Sequence, residues 1–160
     1  MRVRIARGED APALAGLILG FRDYLGATRP GEEALAAALP AALEDPTLEF
    51  GIAFSVEGEA QGYTQCRFFP SVWTCATEGH LEDLFVVASA RGRGVGRELM
   101  DFAIRRAAAR GAAKLGLHTN ERNDPAQAFY RKAGFRPQTE ATWQGGREVY
   151  WARAIGGPRG

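Results

Sequence analysis

The stretch LEDLFVVASARGRGVGRELM, Leu81–Met100, constrains the fold more than any other part of the chain. It opens with apolar, strand-favouring residues interrupted by two acids. It then crosses a loop of Arg and Gly and continues with helical periodicity. A helix entered this way begins with N–H groups that lack intrahelical partners, and its dipole adds partial positive charge there. Gly92, Gly94 and Gly96 carry no side chains that would hold an anion off, and Arg91, Arg93 and Arg97 add charge-assisted donors. The segment reads as a phosphate cradle between a buried strand and a helix. Two other cradles do not fit. A dinucleotide fingerprint counted from Gly92 would need a glycine where Arg97 stands, and a nucleotide P-loop would end in Gly-Lys-Ser/Thr.

The cradle's charge is local. Lys and Arg number 20 against 19 Asp and Glu, a net charge of +1, which gives no bias toward nucleic acid or membrane. No apolar run approaches the roughly 20 residues that span a bilayer, and MRVRIARGED lacks a signal-peptide core, so a cytoplasmic protein is expected. Cys66 and Cys75 have neither metal-site company nor a disulfide framework, and no metal is expected. A length of 160 residues suits a single domain, 1–156, with 157–160 as a frayed tail.

The remaining elements follow from pattern and punctuation. VRIAR is a short first strand, and Asp10 before Pro12 caps a helix that stops near Gly26. Glu32–Glu44 is a second helix that Pro40 should kink or interrupt. LEFGIAFSV and QGYTQCRFF form a hairpin across EGEA, with Gly51 and Gly62 as bulge positions, and PSVWTCATEG leads to a strand over His80–Val87. A helix ending at Gly111, the strand KLGLHT, a helix capped by Asp124 and stopped by Gly134, and two strands around Gly145-Gly146 complete the chain. The order β-α-α-β-β-β-α-β-α-β-β describes an α/β domain with one mixed, largely antiparallel central sheet and about four helices.

Arg91-x-x-Gly94-x-Gly96 after a strand and before a long helix resembles the GNAT superfamily of acyl-CoA-dependent N-acetyltransferases. NERNDPAQAFYRKAGF, Asn120–Phe135, is similar to that family's second cofactor segment. The combination of HLEDLFV, RGRGVG and NDPAQAFYRKAGF, with the aromatic stretch RFFPSVW upstream, resembles the spermidine/spermine branch and its bacterial relatives, which acetylate primary amines of small molecules.

The resemblance implies acetyl-CoA as co-substrate. Backbone groups of Leu84, Phe85 and Val86 would meet its pantetheine arm, with Val87 at the edge of the match. Arg91, Gly92, Arg93, Gly94, Val95, Gly96 and Arg97 would hold the pyrophosphate, and Asn123, Asp124, Pro125 and Ala126 form the second contact. Tyr130 matches the family's acid for the departing thiolate, and Glu82 the carboxylate that deprotonates or positions the amine. Asp83 points to the other face by strand alternation, whereas His80 shares Glu82's face and His118 ends the next strand, which makes both histidines secondary candidates for the base. Asp23, Tyr24, Phe69 and Trp73, with Phe68, are candidates for an acceptor pocket, where aromatics beside acids suit a cation with an apolar body. A polyamine would need strong acidity, which Glu78, Glu82, Asp83 and Asp23 supply only if they converge. A small-molecule amine is the expected partner, and a homodimer is implied, with Arg147–Ile155 able to pair or exchange across a two-fold axis. Acetylation of protein N-termini or lysines, or a non-catalytic acyl-CoA sensor, are the alternatives.

Overall fold

The computed structural model describes residues 1–143 and 146–155. In chain order the elements are β1 (Arg2–Ile5), α1 (Ala11–Tyr24), α2 (Glu32–Glu44), β2 (Leu48–Phe54), β3 (Ala60–Ser71) and β4 (Ala76–Val86). They continue with α3 (Val95–Ala109), β5 (Ala112–Asn120), α4 (Asp124–Lys132), β6 (Arg136–Trp143) and β7 (Gly146–Ala154). The strands form one seven-stranded sheet in the order β1-β2-β3-β4-β5-β7-β6. Its β4–β5 step is parallel, as the α3 crossover requires, and β1–β2, β5–β7 and β6–β7 are antiparallel. Element order and sheet character agree with the sequence reading. No described helix is long and apolar enough to cross a membrane.

The chain divides into two compact units. The first comprises Met1–Cys66 and Asp83–Ala103, the second Arg67–Glu82 and Ile104–Gly160. In the first unit α1 contributes Leu14 and Leu17, α2 Leu39, and the strands Phe50, Ile52, Tyr63 and Phe85 to one buried cluster. A smaller cluster joins Ala53, Ala90, Val95 and Leu99, which fixes the first turn of α3 by burying Val95. In the second unit Phe68, Leu115, Leu117, Phe135 and Trp151 are buried.

Several local expectations need correction. Pro40 does not interrupt α2, which runs unbroken from Glu32 to Glu44, with Glu32 and Glu33 favourably placed in its first turn. Asp10 stands at the start of α1 but makes no side-chain cap bond to it. Its carboxylate accepts from the Arg7 N–H at 2.7 Å and from Arg4 at 2.6 and 2.8 Å, an ion pair that holds its carboxyl below the usual range. Competition from a bidentate guanidinium outweighs a cap at a helix whose first turn already contains Pro12. The connection before the central strand is shorter than expected. β3 runs on to Ser71 and β4 begins at Ala76, leaving Val72–Cys75 as the turn. The tip expected at Gly145-Gly146 lies partly outside the described residues, and the tail 157–160 lies wholly outside them.

Gly51 and Gly62 serve close approach. A Cβ at Gly51 would stand 2.6 Å from Thr64 Oγ1, and one at Gly62 2.5 Å from the Phe85 carbonyl oxygen. The Phe85 oxygen belongs to the main chain and cannot swing away. Gly62→Ala should therefore destabilise the protein by about 3 kcal/mol. Gly16 lies exposed inside α1, and a Cβ added there would meet nothing within 4 Å, so Gly16→Ala should stabilise by roughly 0.5–1 kcal/mol. Denaturant midpoints that move in the same direction for both variants would contradict this reading.

Candidate active site

The first unit holds the cradle. Gly92 and Gly94 have φ of +75° and +83°, a left-handed backbone that only glycine adopts without strain, and open space lies beside both. Gly94 closes the first turn of α3, its carbonyl accepting from the Glu98 N–H at 3.1 Å. The N–H groups of Val95, Gly96 and Arg97 thus belong to the helix's unpaired first turn. Val95 is buried while Arg91, Arg93 and Arg97 are exposed, so the loop is anchored by an apolar side chain and fringed by guanidinium groups. This combination of open glycines, first-turn donors and cations fits a pyrophosphate.

Arg91 is already organised. Its Nε donates to the Val86 carbonyl at 3.1 Å, and its guanidinium lies 4.6 Å from the Tyr24 ring centroid and 5.9 Å from that of Phe85. At the end of β4 the Val86 carbonyl is thereby engaged, and the Val87 N–H donates to the Gln61 carbonyl. Asp83 accepts from the Tyr63 hydroxyl at 3.1 Å, and burial beside that carboxylate raises the phenol's pKa. Asp23 pairs with Arg22 at 2.6 Å.

The second unit holds the titratable groups. Glu82 Oε1 accepts from Arg67 Nε at 2.7 Å. The Glu82 side chain is 28% exposed although the residue as a whole ranks among the exposed ones, so its main chain contributes to that exposure. His80 Nε2 and His118 Nδ1 lie 3.2 Å apart, with ring centroids at 4.9 Å. His80 is opposite Gly116 at the end of the β4–β5 register, which brings it to the strand that carries His118. Burial lowers the His80 pKa, His118 and Arg67 push the same way, and Glu82 pulls against them. The histidine pair could not be read from one strand alone, although a strand–helix–strand crossover does make two parallel strands neighbours.

Glu78 is buried. It takes Lys114 at 3.1 Å and the Thr74 hydroxyl at 3.0 Å, and its pKa is lowered, because its hydrogen bonds together outweigh a burial penalty that acts upward. It is a structural ion pair. Each acid of the expected acidic pocket therefore has its own partner: Asp23 has Arg22, Glu78 Lys114, Glu82 Arg67, and Asp83 Tyr63. Of the aromatics, Phe68 is buried beneath Arg110 at 4.7 Å, Phe69 is 39% exposed, and Trp73 stands 94% exposed in the β3–β4 turn.

Helix α4 opens on Asn123. Its Oδ1 accepts from the Ala126 N–H at 3.2 Å, so Asn123 is the cap and Asp124, expected in that role, is the first helical residue, followed by Pro125. The helix closes with the Phe135 N–H on the Tyr130 carbonyl at 3.0 Å, and Gly134 takes φ +89°. This closure fixes the Tyr130 backbone. Its ring meets Phe135 at 6.3 Å and Phe129 edge-on at 5.6 Å. Half-buried, it has a pKa raised by desolvation, which keeps the hydroxyl protonated and able to donate. Among the described residues no group of three or more metal-ligating side chains comes together.

The family model for the acetyltransferase (GNAT) family matches residues 19–135, a span containing the cradle, the histidine pair and Tyr130. The chain is 33% identical over 143 residues to YhfO, an uncharacterised N-acetyltransferase of Bacillus subtilis, covering 87% of this chain and 92% of that protein. It is 32% identical over 95 residues to the D-amino-acid N-acetyltransferase HPA3 of Saccharomyces cerevisiae, covering 58% of this chain and 59% of that one. A GNAT-family acetyltransferase from Streptococcus pneumoniae has the same fold, with a TM-score of 0.75 at 20% identity over 97% of this chain and 99% of its own. The family-model match over residues 19–135 and the identity to the Bacillus protein show that the chain is an acetyl-transferring enzyme and belongs to the GNAT family of acetyltransferases, whose co-substrate is acetyl-CoA.

Proposed function

We propose that the protein transfers the acetyl group of acetyl-CoA directly to a primary amine of a small molecule. The observation that carries the acetyl-CoA half is the pair of left-handed glycines, Gly92 and Gly94, ahead of the α3 first turn. In the first unit, Arg91 through Arg97 bind the pyrophosphate, and main-chain groups of Leu84, Phe85 and Val86 address the pantetheine amides. In the second unit, Asn123 through Ala126 form a further contact with the co-substrate.

The chemistry has three requirements. An alkylammonium with pKa about 10.4 must lose a proton before its nitrogen can attack. The amine then forms the new C–N bond as the C–S bond breaks, the acylated nitrogen releases its second proton to water, and the departing thiolate takes a proton. Tyr130, held protonated by its half-buried position, supplies that last proton. Glu82 positions the ammonium or accepts its proton through water. Its ion pair with Arg67 holds the carboxylate in place, which favours the positioning role.

A small acceptor is supported by the named substrate class of the yeast relative, D-amino acids. A single-amine acceptor with an apolar body suits the chain better than a polyamine, because the four candidate acids are each already partnered. The resemblance implies action as a homodimer.

The pH–rate profile of Glu82→Gln tests the amine side. The charged and titratable groups around His80 include, among the described residues, His118 on β5, Glu82 on its own strand and Arg67 on β3. A base acts deprotonated, so the rate rises with pH through its pKa. If the rise belongs to His80, removing the Glu82 charge takes away an attraction that favours imidazolium, and the rise moves to lower pH. If Glu82 is itself the base, its part of the rise disappears. A profile superimposable on the wild type would remove Glu82 from the mechanism.

A further inference from the structure

Tyr24 is the last residue of α1 and is 64% exposed, an unusual position for a large ring that nonetheless makes specific contacts. The Arg91 guanidinium lies over its face at 4.6 Å, its centroid is 6.3 Å from that of Phe85, and Phe85 in turn meets Phe21 of the same helix at 5.4 Å. The helix end that carries it is braced. Gly26 takes φ +68°, the Ala27 N–H donates to the Arg22 carbonyl at 3.0 Å, and Arg22 reaches the Pro30 carbonyl at 2.8 Å.

An exposed arginine ordinarily samples many rotamers and loses that freedom on gripping a phosphate. Arg91 is constrained beforehand at two points, its Nε on the Val86 carbonyl and its face on Tyr24. A guanidinium has five N–H donors, and this arrangement spends one of them while leaving its terminal nitrogens for an anion. A ring face is suited to this task, because it attracts the cation without competing for the donors.

We propose that Tyr24 is a positioning residue for Arg91, an aromatic rest that presets the guanidinium beside the glycine cradle and so raises affinity for the phosphate-bearing end of acetyl-CoA. The proposal rests on the reading of Gly92–Arg97 as the pyrophosphate site. It assigns Tyr24 to the co-substrate, whereas the sequence pointed to the acceptor.

Calorimetric titration of CoA, with pantetheine as the ligand lacking phosphate, tests it in Arg91→Ala, Tyr24→Ala, Tyr24→Phe and the double variant Tyr24→Ala/Arg91→Ala. Arg91→Ala should weaken CoA binding about tenfold, the loss of one charge-assisted contact. Tyr24→Ala should weaken it about two- to fivefold, the worth of an exposed cation–π contact, and Tyr24→Phe, which keeps the ring, should stay within about twofold of wild type. In the Arg91→Ala background, Tyr24→Ala should add nothing, and pantetheine should bind all single variants alike. If Arg91→Ala weakens CoA binding and Tyr24→Ala does not, or if the two losses simply multiply, the positioning role is overturned. If Arg91→Ala itself leaves CoA binding intact, the cradle reading fails and the role of Tyr24 falls with it.

Discussion

Replacing Tyr130 with phenylalanine should lower kcat by about a hundredfold while acetyl-CoA affinity stays within about twofold. The substitution removes one oxygen. The ring contacts with Phe129 and Phe135 survive, and so does the helix closure through the Tyr130 carbonyl, because neither uses the hydroxyl. What disappears is a donor that burial keeps protonated. An interaction made only as the thiolate develops lowers kcat and kcat/KM together and leaves ground-state binding alone. Stopped assays at saturating acetyl-CoA, paired with calorimetry on the same preparation, separate the two quantities. Unchanged turnover would take the acid role away from Tyr130, and a parallel loss of affinity would recast it as a binding residue.

The second large effect is expected at Gly94. At φ +83° a valine is strained whatever space surrounds it, and here the surroundings are open. Gly94→Val should therefore relieve its strain by rotating the loop backbone, and with it the first-turn N–H groups of α3. Each hydrogen bond to a charged group is worth about 1.5–3 kcal/mol, so losing alignment at one or two of them should weaken acetyl-CoA on the order of a hundredfold. Val95 and Leu99 are buried just inside the helix, so the rest of α3 should hold, and the unfolding midpoint should move far less than the affinity. Calorimetry showing wild-type affinity in a folded Gly94→Val protein would contradict the cradle.

Much of this was legible in the chain because the signals are local. Gly26, Gly111 and Gly134 announced helix ends, Gly92 and Gly94 an open loop, and all five adopt positive φ. What the sequence left open was partner choice, which depends on contacts far along the chain. Asp10 looks like a cap until Arg4, brought round by β1, claims its carboxylate. Asp124 before Pro125 reads as the cap of α4, but the backbone turn gives that role to Asn123, one residue earlier. Glu78 looked like an acid for the acceptor and proves to be the buried mate of Lys114. Glu82 and Asp83, neighbours on β4, take different partners, Arg67 and Tyr63, and nothing in HLEDLFV names those partners. The pairing of His80 with His118 depends on parallel register across a whole helix, which strand composition does not encode.

The most direct measurement for the proposed activity is the initial rate of free-CoA release from acetyl-CoA across a panel of acceptors: single-amine amino acids, polyamines, aminoglycosides and lysine peptides. Transfer to a small amine predicts release that depends on an added small primary amine, saturates with it, and is faster for single-amine acceptors than for polyamines or peptides. Release with peptides alone would make the enzyme a protein acetyltransferase. Tight acetyl-CoA binding with no release for any acceptor would contradict the proposed transfer to a small amine.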